Sequence, residues 1–281
     1  MKIIECPRDA MQGMEEFVPT SKKVEYINRL LKVGFDTVDF GSFVSPKAIP
    51  QMRDTSEVLA GLDFDQSDSK LLAIVANTRG AQEAVKFEQI SYLGFPFSIS
   101  ETFQQRNTNK SIVEALNTLD EIQQLCVKHN MELVCYISMG FGNPYGDPFG
   151  PEVVSKFTEI IYALDIRIIS LADTIGVAEP QLISKLFKEL IPAYPDVEFG
   201  AHLHSNPNTA IEKVSAAYDS GCRRFDGAVR GFGGCPMAKD ELVGNIATEA
   251  IVSYFEGRSL DLGINRGAFH AAIRSSTSIF G

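Results

Sequence analysis

The stretch Phe199-Gly-Ala-His-Leu-His-Ser205 has the composition of a buried β-strand that carries two histidines two positions apart. Side chains alternate between the two faces of a strand, so Gly200, His202 and His204 share one face and the apolar residues between them share the other. The apolar face can pack against a helix, whereas the other face presents two imidazoles at one end of the strand. This spacing indicates a metal site or a catalytic site, although a single histidine is more often part of a core or a surface.

The composition of the chain limits the classes of function that it can have. Its 281 residues, 44% of them hydrophobic, suit one large α/β domain or two smaller ones. The net charge of −10 lacks the clustered Lys and Arg that a nucleic-acid surface needs. No apolar run approaches the roughly 20 residues of a membrane span without Gly, Pro or charge. We therefore expect neither nucleic acid nor a membrane as a partner.

The cysteines indicate a reducing compartment. The chain has five of them, an odd number, and they form no C-x-x-C pair. The N-terminus enters a strand pattern at once, so no targeting segment is visible. We expect a cytoplasmic protein.

Eight apolar or β-rich runs alternate with helical patterns along the chain. The predicted strands are Lys2–Cys6, Thr37–Phe43, Leu71–Ala76, Gln89–Ser98, Leu133–Met139, Arg167–Asp173, Glu198–His204 and Arg224–Val229. Near-continuous apolar runs are typical of parallel strands that are buried on both faces. The alternation predicts an α/β fold, a single-domain (β/α)8 TIM barrel over residues 1–281. The alternative is an open doubly wound sheet, which lacks the expected G-x-G-x-x-G after an early strand.

Capping residues and prolines mark the predicted helices. The segment Pro7-Arg8-Asp9 is predicted to terminate the first strand after Cys6 and to be followed by a polar loop up to Pro19. Helices are then predicted to begin at or near Thr20, Pro46, Ala81, Ser111, Pro151, Pro180, Pro207 and Glu241. The tail after Gly263 either adds a final helix or lies on the surface.

Polar residues lie at or beyond the C-terminal ends of several predicted strands, where TIM barrels carry their catalytic groups. They are Arg8, Asp9, Asp39, Asp173, His202, His204, Cys235 and Asn245. Polar groups inside a barrel are costly unless they are paired or bound to something, so their convergence predicts one site. Each also has a structural alternative, such as an ion pair for Arg8, an Asx turn for Asp173 or a helix cap for Asn245.

The candidate ligands indicate the kind of metal. Two imidazoles with Asp and Asn oxygens form a mixed nitrogen and oxygen set, and the absence of a thiolate cluster argues against structural zinc. Carboxylate and amide oxygens favour Mg²⁺ or Mn²⁺, with Zn²⁺, Co²⁺ and Fe²⁺ as alternatives because of the imidazoles. Cys235 follows Gly231-Phe-Gly-Gly234, a glycine-rich loop that could bring the thiol onto a reacting centre.

Six short segments add a family signal. They are Pro7-Arg8-Asp9-Ala-Met-Gln12, Ser42-Phe-Val-Ser-Pro-Lys47 with Pro50-Gln51-Met52, Asp173-Thr-Ile-Gly-Val177, His202-Leu-His204, Gly231-Phe-Gly-Gly-Cys-Pro236 and Gly244-Asn245. Together they resemble the 3-hydroxy-3-methylglutaryl-coenzyme A (HMG-CoA) lyase family of barrel metallolyases, from Lys2 to about Gly257. The resemblance implies retro-Claisen cleavage of HMG-CoA, or of a similar 3-hydroxyacyl-CoA, to acetyl-CoA and acetoacetate.

The resemblance also implies a role for each candidate residue. Four residues match the family's divalent-metal ligands: Asp9, His202, His204 and Asn245. Arg8 matches the arginine that stabilises the enolate, and Cys235 matches the loop cysteine that transfers a proton. Three further residues are expected in the site: Asp39, in a position where we expect Glu in the family, Asp173 and Gln12.

Two other functions are compatible with the same barrel. One is a carbon–carbon bond-forming acyl-CoA/2-oxoacid synthase or aldolase, and the other is a non-catalytic metal-binding barrel. The cysteine loop favours the lyase, because a condensing enzyme would not obviously need that thiol. The resemblance further implies an acyl-CoA substrate, a homo-oligomer (a dimer or tetramer), and a place in leucine degradation and ketone body metabolism.

Overall fold

Eight parallel strands close into a barrel in the computed structural model, which describes residues 1–65, 67–234 and 243–281. They are β1 Lys2–Glu5, β2 Thr37–Ser42, β3 Lys70–Ile74, β4 Ile90–Ser98, β5 Glu132–Ser138, β6 Ile168–Asp173, β7 Glu198–Ser205 and β8 Arg224–Gly227. Each strand pairs in parallel with the next, and β8 pairs with β1 to close the ring. The predicted single (β/α)8 barrel is confirmed.

Helices surround this barrel. They are α1 Pro7–Gln12, α2 Thr20–Leu31, α3 Thr55–Ala60, α4 Thr78–Ala84, α5 Glu101–Thr108, α6 Ile112–Lys128, α7 Pro151–Ala163, α8 Pro180–Ala193, α9 Ala210–Asp219, α10 Thr248–Glu256 and α11 Arg266–Phe280. Ser111 caps α6 as predicted, in a capping box with Glu114. Within the described ranges, no helix has both the length and the apolar character needed to cross a bilayer.

The segment after β1 differs from the prediction and bears directly on the site. A polar loop was expected there, but Pro7–Gln12 forms the short helix α1. Proline at the first helical position costs little, because its missing N–H has no partner within a helix in any case. Six residues are too few to show a helical period, so the sequence pattern did not reveal this helix.

Other boundaries also differ. Helix α5 was not predicted, and the prolines at 46 and 50 open only the 3₁₀ turn Pro50–Met52 ahead of α3. Helix α9 begins at Ala210 rather than Pro207. The predicted start at Glu241 lies outside the described residues, and α10 begins at Thr248. The tail after Gly263 forms helix α11, which packs against α2.

Two apolar cores lie on the two sides of the barrel wall. The larger one packs the strands against the helices and includes Phe199, Ala201 and Leu203 of β7. The smaller one lies inside the barrel and consists of Leu72, Ile74, Tyr92, Val134, Tyr136 and Ile168. The apolar face of Phe199–Ser205 therefore packs outward, as expected, and its histidine face points into the barrel.

Candidate active site

A cavity of about 360 Å³ opens at the C-terminal ends of the barrel strands. Its polar wall includes Arg8, Asp9, Gln12, Thr174, His202 and His204. Its apolar wall includes Val44, Ile49, Ile74 and Phe103. Five of the residues that the sequence predicted therefore line one cavity, at the end of the barrel where catalytic groups are expected.

Helix α1 brings three of these residues together. Residues four apart lie on the same helix face, and Arg8 Nη1 donates to Gln12 Oε1 at 3.0 Å. The same Nη1 donates to Asp9 Oδ1 at 2.9 Å, and Gln12 Nε2 donates to that oxygen at 2.6 Å. Asp9 is thus held in place by two neighbours on its own helix.

Asp39 reaches the site through Arg8. It lies on β2 and is almost fully buried, and it accepts from Arg8 Nε at 3.0 and 3.2 Å and from Nη2 at 2.5 Å. Burial raises the pKa of Asp39 to about 6, although the guanidinium of Arg8 opposes that rise. The forked contact fixes the plane of the guanidinium, so Asp39 orients Arg8.

The two histidines have different partners. Nδ1 of His204 donates to the carbonyl oxygen of Thr174 at 3.1 Å, whereas Nδ1 of His202 lies 3.1 Å from Oδ2 of Asp226. Burial lowers the pKa of His204 to about 4, and the charge of His202 adds to that effect. Burial also disfavours the charged form of His202, but the hydrogen bond and charge of Asp226 raise its pKa overall.

Asp9 and the two histidines converge. Potential ligand atoms of these three residues lie within 4.8 Å of one another. Burial alone would raise the pKa of Asp9, but Arg8, the two histidines and a hydrogen bond from Asn245 lower it to about 2. Nε2 of His204 is buried without a hydrogen-bond partner in the part of the chain that the structure describes. An ionised carboxylate beside an unpaired imidazole nitrogen fits a divalent cation.

Asn245 is brought to this cluster by a ninth, two-residue strand, β9 Gly244–Asn245, which pairs antiparallel with β7 opposite His204. Its Nδ2 donates to Asp9 Oδ2 at 2.6 Å and to the carbonyl of Phe232 at 2.9 Å. Gly233 has φ +88° and packs so closely on α1 that an added Cβ would lie 2.5 Å from the Asp9 carbonyl. The glycine loop therefore begins against the site, and Cys235 lies outside the described residues.

Asp173 is engaged with protein groups on both carboxylate oxygens. Oδ1 accepts from the Val177 amide at 2.8 Å, and Oδ2 accepts from the Ala178 amide at 3.0 Å and from Lys213 Nζ at 2.7 Å. Lys213 also donates to the His204 carbonyl at 2.8 Å. These contacts place Asp173 behind the His204 backbone, so a role for it in the site would act through β7.

Sequence reasoning missed two charged residues around the site, Asp226 and Lys213. The segment Arg224-Phe-Asp226 carried a usable signal, because polar residues two apart around an apolar one share a strand face that must point into the barrel. Lys213 gave no such signal. It lies on α9, and only the fold brings it to Asp173.

Comparisons with known proteins agree with this geometry. Residues 2–275 match the HMGL-like family. The hydroxymethylglutaryl-CoA lyase YngG of Bacillus subtilis is 34% identical over 250 residues, which are 89% of this chain and 83% of that protein. An HMG-CoA lyase structure from Brucella melitensis superposes with a TM-score of 0.92 at 29% identity, covering 99% of this chain and 98% of the other.

A second solved structure is the HMG-CoA lyase from Acinetobacter baumannii in complex with coenzyme A and 3-methylmalate. It superposes with a TM-score of 0.91 at 31% identity, covering 99% of this chain and 90% of the other. The family match spans the barrel and every candidate site residue. The chain therefore belongs to the HMGL-like family.

Proposed function

We propose that this protein is a divalent-metal-dependent carbon–carbon lyase that cleaves HMG-CoA to acetyl-CoA and acetoacetate. The observation that carries the proposal is the convergence of Asp9, His202 and His204 beside Arg8 in one cavity. The family match and the curated HMG-CoA lyases among its relatives support cleavage over bond formation and over a non-catalytic barrel. The coenzyme A in a relative's structure supports an acyl-CoA substrate.

The reaction needs no redox change. The C3 hydroxyl of the substrate loses its proton, the C2–C3 bond breaks, and C3 becomes the ketone carbon of acetoacetate. The bonding electrons pass to C2 and form the thioester enolate of acetyl-CoA, which then takes up one proton at C2. The site must therefore promote loss of the hydroxyl proton, stabilise the enolate oxygen and supply a proton to carbon.

Arg8 is suited to stabilise the enolate oxygen. A guanidinium has five N–H donors. In the contacts described above, Nε and one Nη2 hydrogen serve Asp39, and the two Nη1 hydrogens serve Asp9 and Gln12. The second Nη2 hydrogen is left for a substrate oxygen, and the orientation of the group is already fixed. Loss of such a preorganised donor typically costs about 10² to 10³ in rate.

The polar cluster suits a divalent cation, which the HMGL-like family requires. Asp9, His202 and His204 would hold it, and Asn245 Nδ2 already bonds to Asp9, which leaves the amide oxygen as the atom that it can offer. A cation bound there supplies Lewis-acid polarisation of the substrate's hydroxyl and carboxylate oxygens. The oxygen-rich part of this ligand set favours Mg²⁺ or Mn²⁺ over Zn²⁺, Co²⁺ and Fe²⁺.

The apolar wall accounts for the rest of the acyl group. Val44 and Ile49 come from the segment after β2, Ile74 ends β3, and Phe103 lies on α5. These side chains offer a dry surface for the C3 methyl group and keep water from the enolate. Cys235 is proposed to deliver the proton to C2, on the resemblance of its loop.

Three finer points belong to the proposal. We expect the protein to work in the cytoplasm, because five cysteines without a C-x-x-C pair suit a reducing compartment. We expect a homo-oligomer, a dimer or tetramer. We also expect the reaction to serve leucine degradation and ketone body metabolism, because acetoacetate and acetyl-CoA are its products.

The direct test is to incubate HMG-CoA with protein that has been stripped of metal and then reloaded with Mg²⁺ or Mn²⁺. Acetoacetate and acetyl-CoA should form in equal amounts with the reloaded protein, and neither should form with the stripped protein. Reloaded, folded protein that releases no acetoacetate would contradict the proposal. Condensation of acetyl-CoA with a 2-oxoacid by the same preparation would point instead to a synthase.

A further inference from the structure

Asp226 has a single hydrogen bond to protein in the described part of the chain, and it goes to His202. Asp226 lies on β8, next to β7, and its carboxylate is fully buried. Oδ2 lies 3.1 Å from Nδ1 of His202, and Oδ1 has no hydrogen-bond partner among the described residues. A buried carboxylate is costly, so one that serves a single imidazole calls for an explanation.

We infer that Asp226 is a positioning residue for His202, which it holds with a proton on Nδ1 so that Nε2 is free for the cation shared with Asp9 and His204. The inference rests on the proposed function only in taking the cluster as a cation site. A metal-ligating histidine commonly donates its other ring N–H to a carboxylate, which fixes the ring and makes the ligand more basic. The 3.1 Å contact provides that arrangement.

The surroundings of Asp226 favour this role over an ordinary buried ion pair. The nearest cation on its own strand is Arg224, whose Nη1 donates to Glu198 at 3.0 Å on the far side from the cavity. Nε and Nη2 of Arg224 have no partner among the described atoms, so the guanidinium balances the charge of Asp226 without a direct hydrogen bond. The carboxylate therefore makes no direct hydrogen bond to Arg224 among the described residues and is available to the imidazole.

The two site histidines are consequently held by unlike partners. His204 donates Nδ1 to the neutral carbonyl of Thr174, and Asp173 supports its backbone through Lys213. His202 alone bonds to a carboxylate. The rings of Tyr136 and His202 pack in an edge-to-face arrangement, with ring centroids 5.5 Å apart. We expect His202 to be the more basic of the two ligands.

Asp226 could also be interpreted as a metal ligand itself, together with Cys6 and His202. Ligand atoms of Cys6, His202 and Asp226 also lie within 4.8 Å of one another, so they could in principle hold a cation themselves. Burial raises the pKa of the Cys6 thiol far above its ordinary value, which disfavours the thiolate that a metal needs. Asp226 is therefore assigned as the partner of His202 and not as a ligand.

The test compares Mn²⁺ affinity, by calorimetry or electron paramagnetic resonance, for wild type, Asp226→Asn and Glu198→Gln. The amide keeps the shape of the carboxylate but removes its charge, so Asp226→Asn should weaken Mn²⁺ binding about 10- to 100-fold. Glu198→Gln is the matched control, since it removes a carboxylate charge from the same barrel without touching His202 while its amide oxygen can still accept from Arg224, and its affinity should match wild type. Equal affinity in wild type and Asp226→Asn would overturn the inference. So would two ions per wild-type chain and one in the variant.

A measurement on the unaltered protein covers the case in which Asp226→Asn does not fold. The chain has only four histidines, so ¹⁵N spectra of histidine-labelled, metal-free protein can be assigned. At a pH where the His202 ring is neutral, its one remaining proton should be on Nδ1 and Nε2 should be bare. A bare Nδ1 there would overturn the inference. Neither readout needs turnover, so a protein that fails to cleave HMG-CoA but passes both tests would refute only the proposed function.

Discussion

The interior of the barrel is divided into two unlike sectors. Toward β3, β4, β5 and the start of β6 it is filled by Leu72, Ile74, Tyr92, Val134, Tyr136 and Ile168. Toward β6, β7, β8 and β1 it carries Ser170, His202, Arg224, Asp226 and, at the rim, the α1 pair Arg8 and Asp9. The first sector resembles the packed interior of any barrel, whereas the second holds charge at a cost that only pairing or a bound group can offset. The cavity lies where the two meet, so each wall of the site is supplied by a different sector.

This division suggests that stability and chemistry come from different sides of one barrel. Apolar packing in the first sector contributes to the free energy of folding. The polar sector contributes ligands and donors that are already oriented before the substrate arrives. Substitutions in the apolar sector should therefore lower the stability of the fold, whereas substitutions in the polar sector should lower metal binding and activity.

The largest effect is expected in the polar sector, from His204→Ala. The variant loses an imidazole whose Nε2 has no protein partner among the described residues, together with the Nδ1 hydrogen bond to the Thr174 carbonyl. We expect loss of bound metal and a fall in activity beyond the roughly 100-fold typical of losing an outer hydrogen-bond partner. Metal content by mass spectrometry and the acetoacetate assay measure the two losses on one preparation. Unchanged metal content would remove His204 from the ligand set.

The counterpart in the apolar sector is Leu72→Ala. Leu72 is fully buried inside the barrel, and truncation of such a side chain costs about 2–5 kcal/mol of unfolding free energy. We expect that loss in urea unfolding, with metal content per folded chain unchanged. Val113→Ala, at a position that is 67% exposed, is the control and should change stability by less than about 0.5 kcal/mol. Loss of metal from folded Leu72→Ala would mean that the two sectors are not separable.

The sequence predicted the barrel and a group of polar residues at one rim of it, and the points that it missed have physical causes. The strands were readable because a barrel strand is buried on both faces and becomes a near-continuous apolar run. The site was readable where its residues share a strand face, as His202 and His204 do, or follow the end of a strand, as Arg8 and Asp9 do. Helix α1 was missed because it is too short to show a period.

The other features that the sequence did not predict are the hydrogen-bond partners of the buried carboxylates. Asp173 bonds to Lys213 because the fold places helix α9 beside the end of β6. Asp226 bonds to His202 because β8 lies next to β7. Such pairs are separated by 40 and 24 residues, and no local pattern encodes them. The role of Cys235 stays a prediction, since the residue lies outside the described part of the chain.

Glu5 tests whether buried charge is costly when it serves no site. It is fully buried and accepts from the Val229 amide at 2.8 Å and from the Thr248 hydroxyl at 2.6 Å, and burial raises its pKa to about 8. Below the unfolded-state pKa of about 4.3 the group is protonated in both states and costs nothing. As pH rises toward 8, the unfolded chain ionises first, so the wild type loses stability over that window.

Glu5→Gln should remove this loss. The amide oxygen can still accept from Val229 and the amide nitrogen can donate to Thr248, so the local hydrogen bonds persist. Thermal unfolding of both proteins from about pH 5 to pH 8 measures the difference, which should grow with pH in favour of the variant. A constant difference across that range would show that Glu5 does not titrate as its burial implies.

The smallest effect is expected from Asp39→Glu, which probes the junction between Arg8 and the barrel wall. Asp39 is only 1% exposed, and both of its carboxylate oxygens accept hydrogen bonds from the Arg8 guanidinium. The longer glutamate side chain must therefore displace Arg8 or adopt a strained rotamer. Because Arg8 remains paired, we expect kcat/KM for HMG-CoA to change by less than about tenfold, a difference of about 1.4 kcal/mol in the barrier. Mn²⁺ affinity should stay at the wild-type value, since Asp9 and the histidines are untouched.

Asp39→Asn is the matched control, because it keeps the length of the side chain but removes the charge that orients Arg8. It should lose more activity than Asp39→Glu does. If Asp39→Glu changes neither the rate nor the preference between HMG-CoA and a 3-hydroxyacyl-CoA without the C3 methyl group, then the length of this side chain does not tune the site, and substrate choice must come from the apolar wall alone.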